Sequence, residues 1–147
     1  MRYIVLLLML LGVVQAKEYK VVFDCSSSDA RFILSRMNLV EKTMMMIEKN
    51  GDQVNVVLTL HGGCVPMVSK EYSEVVADED LIYVKKAQET ITRLSKKENI
   101  EIVSCAMSLE GNGLEKEDVL SFVRISDNSF IDTIEYQNRG YAIMVFK

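Results

Sequence analysis

The chain has 147 residues, of which 49% are hydrophobic and 26% are charged. This length and balance fit one globular domain and exclude an intrinsically disordered chain. With 7 Gly, 1 Pro, 3 Cys and 1 His, the sequence also lacks the residues that collagen-like proteins, disulfide scaffolds and zinc ribbons need. Because 21 acidic residues outnumber 17 basic ones, we expect no binding to nucleic acid or to an anionic membrane surface.

The first sixteen residues have the layout of a secretory signal peptide. Arg2 gives a positive start, residues 4–14 form an apolar run, and Ala16 offers a small residue before a cleavage site. A helix over this run would cover roughly half of a ~30 Å hydrocarbon core. We therefore predict cleavage after Ala16, a periplasmic or secreted protein without stable membrane insertion, and one domain over residues 17–147. An uncleaved anchor is the alternative.

Beyond residue 17, strand patterns alternate with helix patterns. β-branched and aromatic runs predict five strands, at residues 19–23, 54–60, 100–106, 121–125 and 141–146. Helical spacing predicts helices at residues 30–49 and 81–97, and a third helix that begins at a Ser126-Asp127 cap and ends at about residue 137. A short helix is also predicted inside a loop at 65–77, and a helical turn or two at 115–120. This alternation predicts one α/β domain whose mostly parallel five-stranded sheet is covered by helices on both faces.

Cys25, Cys64 and Cys105 all lie in the predicted mature chain. An exported compartment permits disulfides. Three cysteines allow at most one internal bridge, so one thiol remains. That remaining thiol is the first feature of the sequence that indicates a chemical function.

Reactive side chains follow three of the predicted strands. Cys25 follows the first strand, His61 and Cys64 follow the second, and Cys105 ends the third. The carboxyl ends of neighbouring parallel strands meet at one edge of a sheet, ~5 to 10 Å apart. If these strands are neighbours, the sequence predicts that the three cysteines and the single histidine share one rim that solvent can reach.

Each of these residues also has a plainer interpretation. Cys25 and Cys105 fit as small buried side chains at strand ends, and His61 fits as a turn residue before two glycines. His61 and Cys64 have the spacing of a metal-ligand pair, but a structural site needs four ligands. We therefore expect no resident metal and no cofactor.

Several segments, taken in order, resemble the DsrE/DsrF-like (DsrEFH) sulfur-relay family. They are the opening strand at 20–23, His61-Gly62, and residues 103–109, 114–120 and 136–142. The resemblance implies a three-layer α/β/α fold with flavodoxin-like layering and homo-oligomers that are commonly trimers or hexamers. It also implies a cysteine after the third strand that carries sulfur as a persulfide. Cys105 occupies that position. Export and the additional thiol of Cys64 depart from the family pattern.

The resemblance and the predicted rim favour a sulfur carrier or sulfurtransferase of the exported compartment. Cys105 would accept sulfane sulfur from a donor protein or a small sulfur species for delivery to an acceptor, and Cys64 would resolve or protect the persulfide. A protonated His61 would lower the pKa of the thiol, with Arg31 or Arg139 as alternative cations. Two other functions stay open: a thiol-disulfide redox protein that uses Cys64 and Cys105, and a non-catalytic oligomeric binding module of the same fold.

Overall fold

The computed structural model describes residues 16–146 and contains one parallel sheet. Its strands are β1 (Glu18–Cys25), β2 (Gln53–Leu60), β3 (Ile100–Cys105), β4 (Arg124–Ser126) and β5 (Ala142–Phe146). Their order across the sheet is β4-β3-β2-β1-β5, and the neighbouring strands are parallel throughout. The predicted α/β fold with a five-stranded parallel sheet is confirmed.

The helices of the described chain are α1 (Ala30–Lys49), α2 (Leu81–Leu94), α3 (Ala106–Gly111) and α4 (Ser129–Asn138). Helices α1 and α2 pack on one face of the sheet and enclose the larger apolar core. Helix α4 lies on the opposite face, where Tyr136 packs on Val22, Val57 and Val103. The short helix α3 packs on a 3-10 helix at Gly62–Val68. Both faces of the central strands are therefore covered.

Helix α1 begins and ends at the predicted residues because both ends carry strong local signals. The Asp29 carboxylate accepts the backbone N–H of Phe32 at 2.9 Å and so caps the N-terminus. Beyond the C-terminus, Gly51 has a φ of 80°, a left-handed conformation that glycine adopts at little cost. Local chemistry alone thus fixes the limits of this helix.

The segment before α4 is shifted relative to the prediction. The fourth strand lies at Arg124–Ser126, so Ser126 is part of β4 and stands opposite Cys105 in the register. The cap of α4 is instead Asn128, whose side chain accepts the N–H of Phe130 at 2.9 Å. The predicted Ser126-Asp127 cap is therefore wrong, because the sheet uses Ser126 for pairing.

Helix α3 is not among the predicted elements, although it begins directly after Cys105. Its six residues are too few to show helical periodicity in a sequence. The segment predicted as a loop with a short helix, residues 65–77, overlaps two 3-10 helices, at Gly62–Val68 and Tyr72–Glu74, and two more lie at Asp78–Asp80 and Lys116–Asp118.

The predicted signal peptide lies outside the described residues, apart from Ala16. Among residues 16–146, none of the helices combines the length and the apolar character needed to span a bilayer.

Candidate functional site at Cys105

The carboxyl ends of β1, β2 and β3 lie side by side at one edge of the sheet. Cys25 stands opposite Leu60, and Leu60 stands opposite Ser104. The chain leaves β2 at His61 and leaves β3 at Cys105, so both residues emerge at this edge. The three strands are therefore neighbours, as the predicted rim requires.

Asp24 and His61 form a polar pair at this edge. The His61 Nε2 atom lies 3.0 Å from the Asp24 Oδ1 atom, and the Thr59 hydroxyl donates to the same oxygen at 2.6 Å. Both side chains of the pair are largely buried. Burial raises the pKa of Asp24, but the hydrogen bonds from His61 and Thr59 outweigh it and hold that pKa below its ordinary value.

The same contacts make His61 easier to protonate. The hydrogen bond to Asp24 raises the pKa of His61 above its ordinary value, while burial opposes this shift. The negative charges of Asp24 and of the Cys105 thiolate raise it further. His61 is thus a titratable cation within the electrostatic reach of the Cys105 sulfur.

Cys105 stands where β3 passes directly into α3, and its side chain is only 4% exposed. Burial raises the pKa of the thiol, but hydrogen bonds from the side chains and backbone of Ser108 and Ser129 outweigh it. The net pKa therefore lies below the ordinary value for cysteine. Ser108 belongs to the first turn of α3 and Ser129 begins α4, so two helix starts favour the thiolate.

Ser108 also connects Cys105 to the segment after β2. Its Oγ atom accepts the backbone N–H of Gly62 at 2.9 Å. The side-chain amide of Asn112 donates to the carbonyl of Gly62 at 3.1 Å and to that of Ser108 at 2.7 Å. Helix α3 is thereby held against the segment that carries His61.

Cys64 is bonded to Cys25, with 5.9 Å between the Cα atoms, and both residues are fully buried. Cys105 is the free cysteine. The predicted Cys64–Cys105 pair is wrong because the chain turns back over the end of β1 directly after His61, whose N–H donates to the Cys25 carbonyl at 2.9 Å. Cys64 therefore has no thiol with which to resolve a persulfide.

Two exposed apolar side chains are sequence neighbours of the serines at the Cys105 site. Phe130, next to Ser129, is 67% exposed, and its ring centroid lies 6.2 Å from that of His61. Met107 on α3 is exposed as well. The rim is therefore less open at the sulfur than the sequence predicted, since Cys105 is only 4% exposed.

Both arginines named as alternative cations have other contacts. The guanidinium of Arg31 lies 4.6 Å from the centroid of the Tyr83 ring. That of Arg139 lies 5.1 Å from the Tyr136 centroid and 5.7 Å from the Tyr141 centroid. The pKa of His61, by contrast, is raised in part by the charge of Cys105.

Sequence reasoning missed Asp24, Ser108 and Ser129 as members of the site. Asp24 had a usable signal, since it immediately precedes Cys25 at a strand end. Ser108 and Ser129 had none, because their contacts depend on where α3 and α4 begin. Within residues 16–146, no three His, Cys, Asp or Glu side chains are grouped in a way that could hold a metal ion.

Comparison with known proteins places the chain in a family. The family model described as the DsrE/DsrF-like family matches residues 15–146. The chain belongs to the DsrE/DsrF-like family. This DsrE/DsrF-like chain is also 28% identical over 131 residues to an uncharacterized protein of Aquifex aeolicus (strain VF5), covering 89% of the chain and 57% of that relative. It thus spans little more than half of the relative's length.

Two solved structures have the DsrE/DsrF-like chain's fold. One is a protein of unknown function, MTH1491 from Methanobacterium thermoautotrophicum, with a TM-score of 0.66, 18% identity, and coverage of 87% of this chain and 99% of that one. The other is the ychN protein from E. coli, with a TM-score of 0.53, 10% identity, and coverage of 90% and 100%. At these sequence identities, the two similarities show a shared fold alone.

Proposed function

We propose that the protein is a sulfur carrier that holds sulfane sulfur as a persulfide on Cys105. Membership of the DsrE/DsrF-like family suggests a function of the sulfur-relay type. The observation that carries the proposal is the environment of the free thiol: Ser108 and Ser129 lower its pKa, and His61 stands within electrostatic reach. Cys105 also occupies the position after the third strand that the family resemblance assigns to the sulfur-carrying cysteine.

The lowered pKa matters because the thiolate is the nucleophile. A thiol with a pKa of about 8.5 is only about 3% ionised at pH 7, whereas a pKa near 6.5 gives roughly 75% thiolate. Every hydrogen bond that Ser108 and Ser129 give to the sulfur therefore increases the reactive fraction. A protonated His61 acts in the same direction.

The loading step balances with a polysulfide as the donor. The Cys105 thiolate attacks a sulfur atom of the polysulfide dianion, one S–S bond forms, and one S–S bond breaks. The electron pair of the broken bond leaves with a polysulfide dianion shortened by one sulfur, and Cys105 becomes the persulfide anion. Delivery is the same exchange in reverse: an acceptor thiolate attacks the outer sulfur, and the Cys105 thiolate is the leaving group.

His61 has a second role in this scheme. The persulfide anion extends the negative charge one bond beyond the sulfur of Cys105. Protonated His61 offers a compensating charge, and Asp24 keeps it protonated. The pair therefore stabilises the loaded form as well as the thiolate.

Intact-mass spectrometry of the protein after incubation with polysulfide tests the proposal. We expect a gain of about 32 Da, one sulfur atom, which dithiothreitol removes. Sulfur inserted into the Cys25–Cys64 disulfide would give the same mass gain, so the control is Cys105→Ser, which keeps that disulfide. Because Cys25 and Cys64 are fully buried, this variant should gain nothing. An equal gain in Cys105→Ser, or no gain with polysulfide, thiosulfate or a small persulfide, would refute the proposal.

One observation favours a second candidate function, a non-catalytic binding module of the same fold. The side chain of Cys105 is only 4% exposed. If burial dominates, iodoacetamide should modify the native thiol far more slowly than it modifies a free cysteine. A sulfur carrier should instead react at pH 7 at least as fast as free cysteine, since its thiolate fraction is larger.

We also propose that the protein acts as a homo-oligomer, a trimer or hexamer. Support comes from α4, which exposes Phe130, Ile131 and Ile134, and from an apolar groove of about 490 Å³ between α1 and β5. Monomeric soluble proteins rarely expose contiguous apolar patches larger than a few hundred Å². Light scattering after size-exclusion chromatography should give a multiple of the monomer mass, and Ile134→Glu should reduce it if α4 is at the interface.

Export to the periplasm or outside the cell is the last part of the proposal. The Cys25–Cys64 disulfide supports it, because such bonds persist in oxidising compartments. Intact-mass analysis of protein recovered from its native compartment should show a chain that starts at Lys17 and contains one disulfide. A full-length, fully reduced chain would contradict it.

A further inference from the structure

The Cys25–Cys64 disulfide joins the two chain segments that carry the Asp24–His61 pair. Cys25 directly follows Asp24, and Cys64 lies three residues after His61. Both sulfur-bearing residues are fully buried. The covalent bond therefore ties together the two segments that hold the polar pair beside Cys105.

The backbones of these two segments approach each other unusually closely. The N–H of His61 donates to the Cys25 carbonyl at 2.9 Å, and that of Gly63 donates to the Ser26 carbonyl at 3.3 Å. A Cβ atom on Gly63 would lie 2.6 Å from the Cα atom of Ser28. Only glycine fits at this point. The disulfide therefore belongs to a tightly packed junction between residues 24–28 and residues 61–64.

Two routes of hydrogen bonds and electrostatic contacts connect the junction to Cys105. In the first, the N–H of Gly62 donates to the Ser108 hydroxyl, which in turn hydrogen-bonds to Cys105. In the second, His61 is held by Asp24 and senses the charge of Cys105. Each route begins within three residues of a disulfide-bonded cysteine.

We propose that the Cys25–Cys64 disulfide is a positioning element of the Cys105 site, which makes Cys105 reactive in the oxidised protein and poorly reactive after reduction. The inference rests on the proposed function for the role of Cys105. Reduction by a dithiol transfers two electrons: the disulfide becomes two thiols, and the dithiol becomes a cyclic disulfide. Cys105 itself keeps its oxidation state in this step.

The test compares the wild type with Cys25→Ala/Cys64→Ala, in which Cys105 is the sole cysteine. The rate of modification by iodoacetamide is measured from pH 5 to 10 in both proteins. In the variant, we expect the midpoint of the profile to move to higher pH, with up to a tenfold loss of rate at pH 6.5 for each unit of that shift. A purely structural role would leave the midpoint unchanged.

The single histidine gives an independent readout. His61 is the one histidine of the chain, so its ring protons are assigned without ambiguity in an NMR titration. In the wild type, His61 should titrate above its ordinary value of 6.5. In the double variant, its titration should move down toward that value, because Asp24 is no longer held against it.

A folded variant with the wild-type midpoint and the wild-type His61 titration would overturn the inference. If the variant does not fold, wild type treated with dithiothreitol provides the same comparison, with the label on Cys105 followed by peptide mapping. Loss of all structure in that sample would also overturn the inference, because the disulfide would then stabilise the whole fold rather than position the Cys105 site.

Sulfur loading separates the two proposals. Equal loading of wild type and variant refutes only this inference, and no loading of oxidised wild type refutes only the proposed function.

Discussion

His61 and Asp24 are held together at the edge of the sheet, with 3.0 Å between His61 Nε2 and Asp24 Oδ1. The strand register explains the contact: Asp24 stands opposite Thr59, and His61 comes two residues after Thr59, on the same side of β2. The pair therefore depends on the β1–β2 register and joins the two strands at their carboxyl ends.

Replacing Asp24 by Asn should destabilise the protein in a pH-dependent way. The raised pKa of His61 stabilises the fold below about pH 6.5, and that contribution is lost as the pH rises through the folded pKa. The lowered pKa of Asp24 stabilises it above about pH 3.8, and that contribution is lost as the pH falls through the folded pKa. Urea unfolding should show the largest deficit, about 1–3 kcal/mol, between these values.

The stability difference between wild type and Asp24→Asn should narrow as the pH rises through the folded pKa of His61, because the imidazole then loses its charge. Asp78→Asn is a matched control, since Asp78 is exposed and its replacement should change the stability little at any of these pH values. A deficit for Asp24→Asn that is constant from pH 5 to 9 would contradict the ion-pair explanation.

Replacing Ser108 by Ala should slow the reaction of Cys105 and weaken the fold. The thiolate loses a hydrogen bond that lowers its pKa, and the N–H of Gly62 loses its acceptor. We expect a several-fold slower reaction with iodoacetamide at pH 7 and a stability loss of about 1–3 kcal/mol. The measurement is a pH profile of modification together with urea unfolding.

Ser121→Ala is the control for this substitution, because Ser121 is exposed. It should change neither the profile nor the stability by a measurable amount. Ser108→Thr, which keeps a hydroxyl, should retain more of the reactivity than Ser108→Ala. If Ser108→Ala reacts as fast as wild type at every pH, Ser108 does not tune the thiol.

Replacing Gly63 by Ala should destabilise the protein because the new methyl group has no space. Its carbon would lie 2.6 Å from both the Cα and the Cβ of Ser28. Overpacking of this kind costs about 1–3 kcal/mol, and we expect a lower melting temperature together with slower modification of Cys105. Gly111→Ala is the matched control, since a methyl group there would meet no other atom within 4 Å, and its melting temperature should stay within error or rise.

The sequence predicted those parts of the fold whose cause is local. The N-cap at Asp29 and the turn at Gly51 set the limits of α1 without help from the rest of the chain. The β-branched runs located the central strands, and their carboxyl ends meet as expected. Where the cause is tertiary, the prediction failed: Ser126 would cap a helix in isolation, but in the sheet it pairs with β3.

The candidate site likewise has residues that the sequence could bring together and residues that it could not. Cys105 and His61 follow predicted strands, so their approach could be deduced. The disulfide partner of Cys64 could not be deduced, because the choice between Cys25 and Cys105 depends on the path of the chain after His61. The contribution of Ser129 depends on a helix that begins twenty-four residues beyond Cys105, and no periodicity connects two such positions.

Arg124 holds α4 against the sheet and thereby supports Ser129. Its Nη2 atom donates to the Asp132 carboxylate at 2.8 Å and to the Tyr136 hydroxyl at 3.3 Å, and its Nε atom donates to Glu101. The second carboxylate oxygen of Asp132 is buried without a hydrogen-bond partner among the described residues. Arg124 is therefore the charge that compensates a nearly buried carboxylate one turn after Ser129.

Replacing Arg124 by Ala should accordingly cost more than the loss of an ordinary surface ion pair. Asp132 would remain buried and uncompensated, and we expect a loss of about 1–3 kcal/mol in urea unfolding. The control is Arg93→Ala, which removes a more exposed pair with Glu41 and should cost less than about 1 kcal/mol. Arg124→Ala should also shift the Cys105 modification profile to higher pH, because Ser129 moves with α4. Equal losses in the two variants, with an unchanged profile, would show that α4 is positioned by its apolar contacts alone.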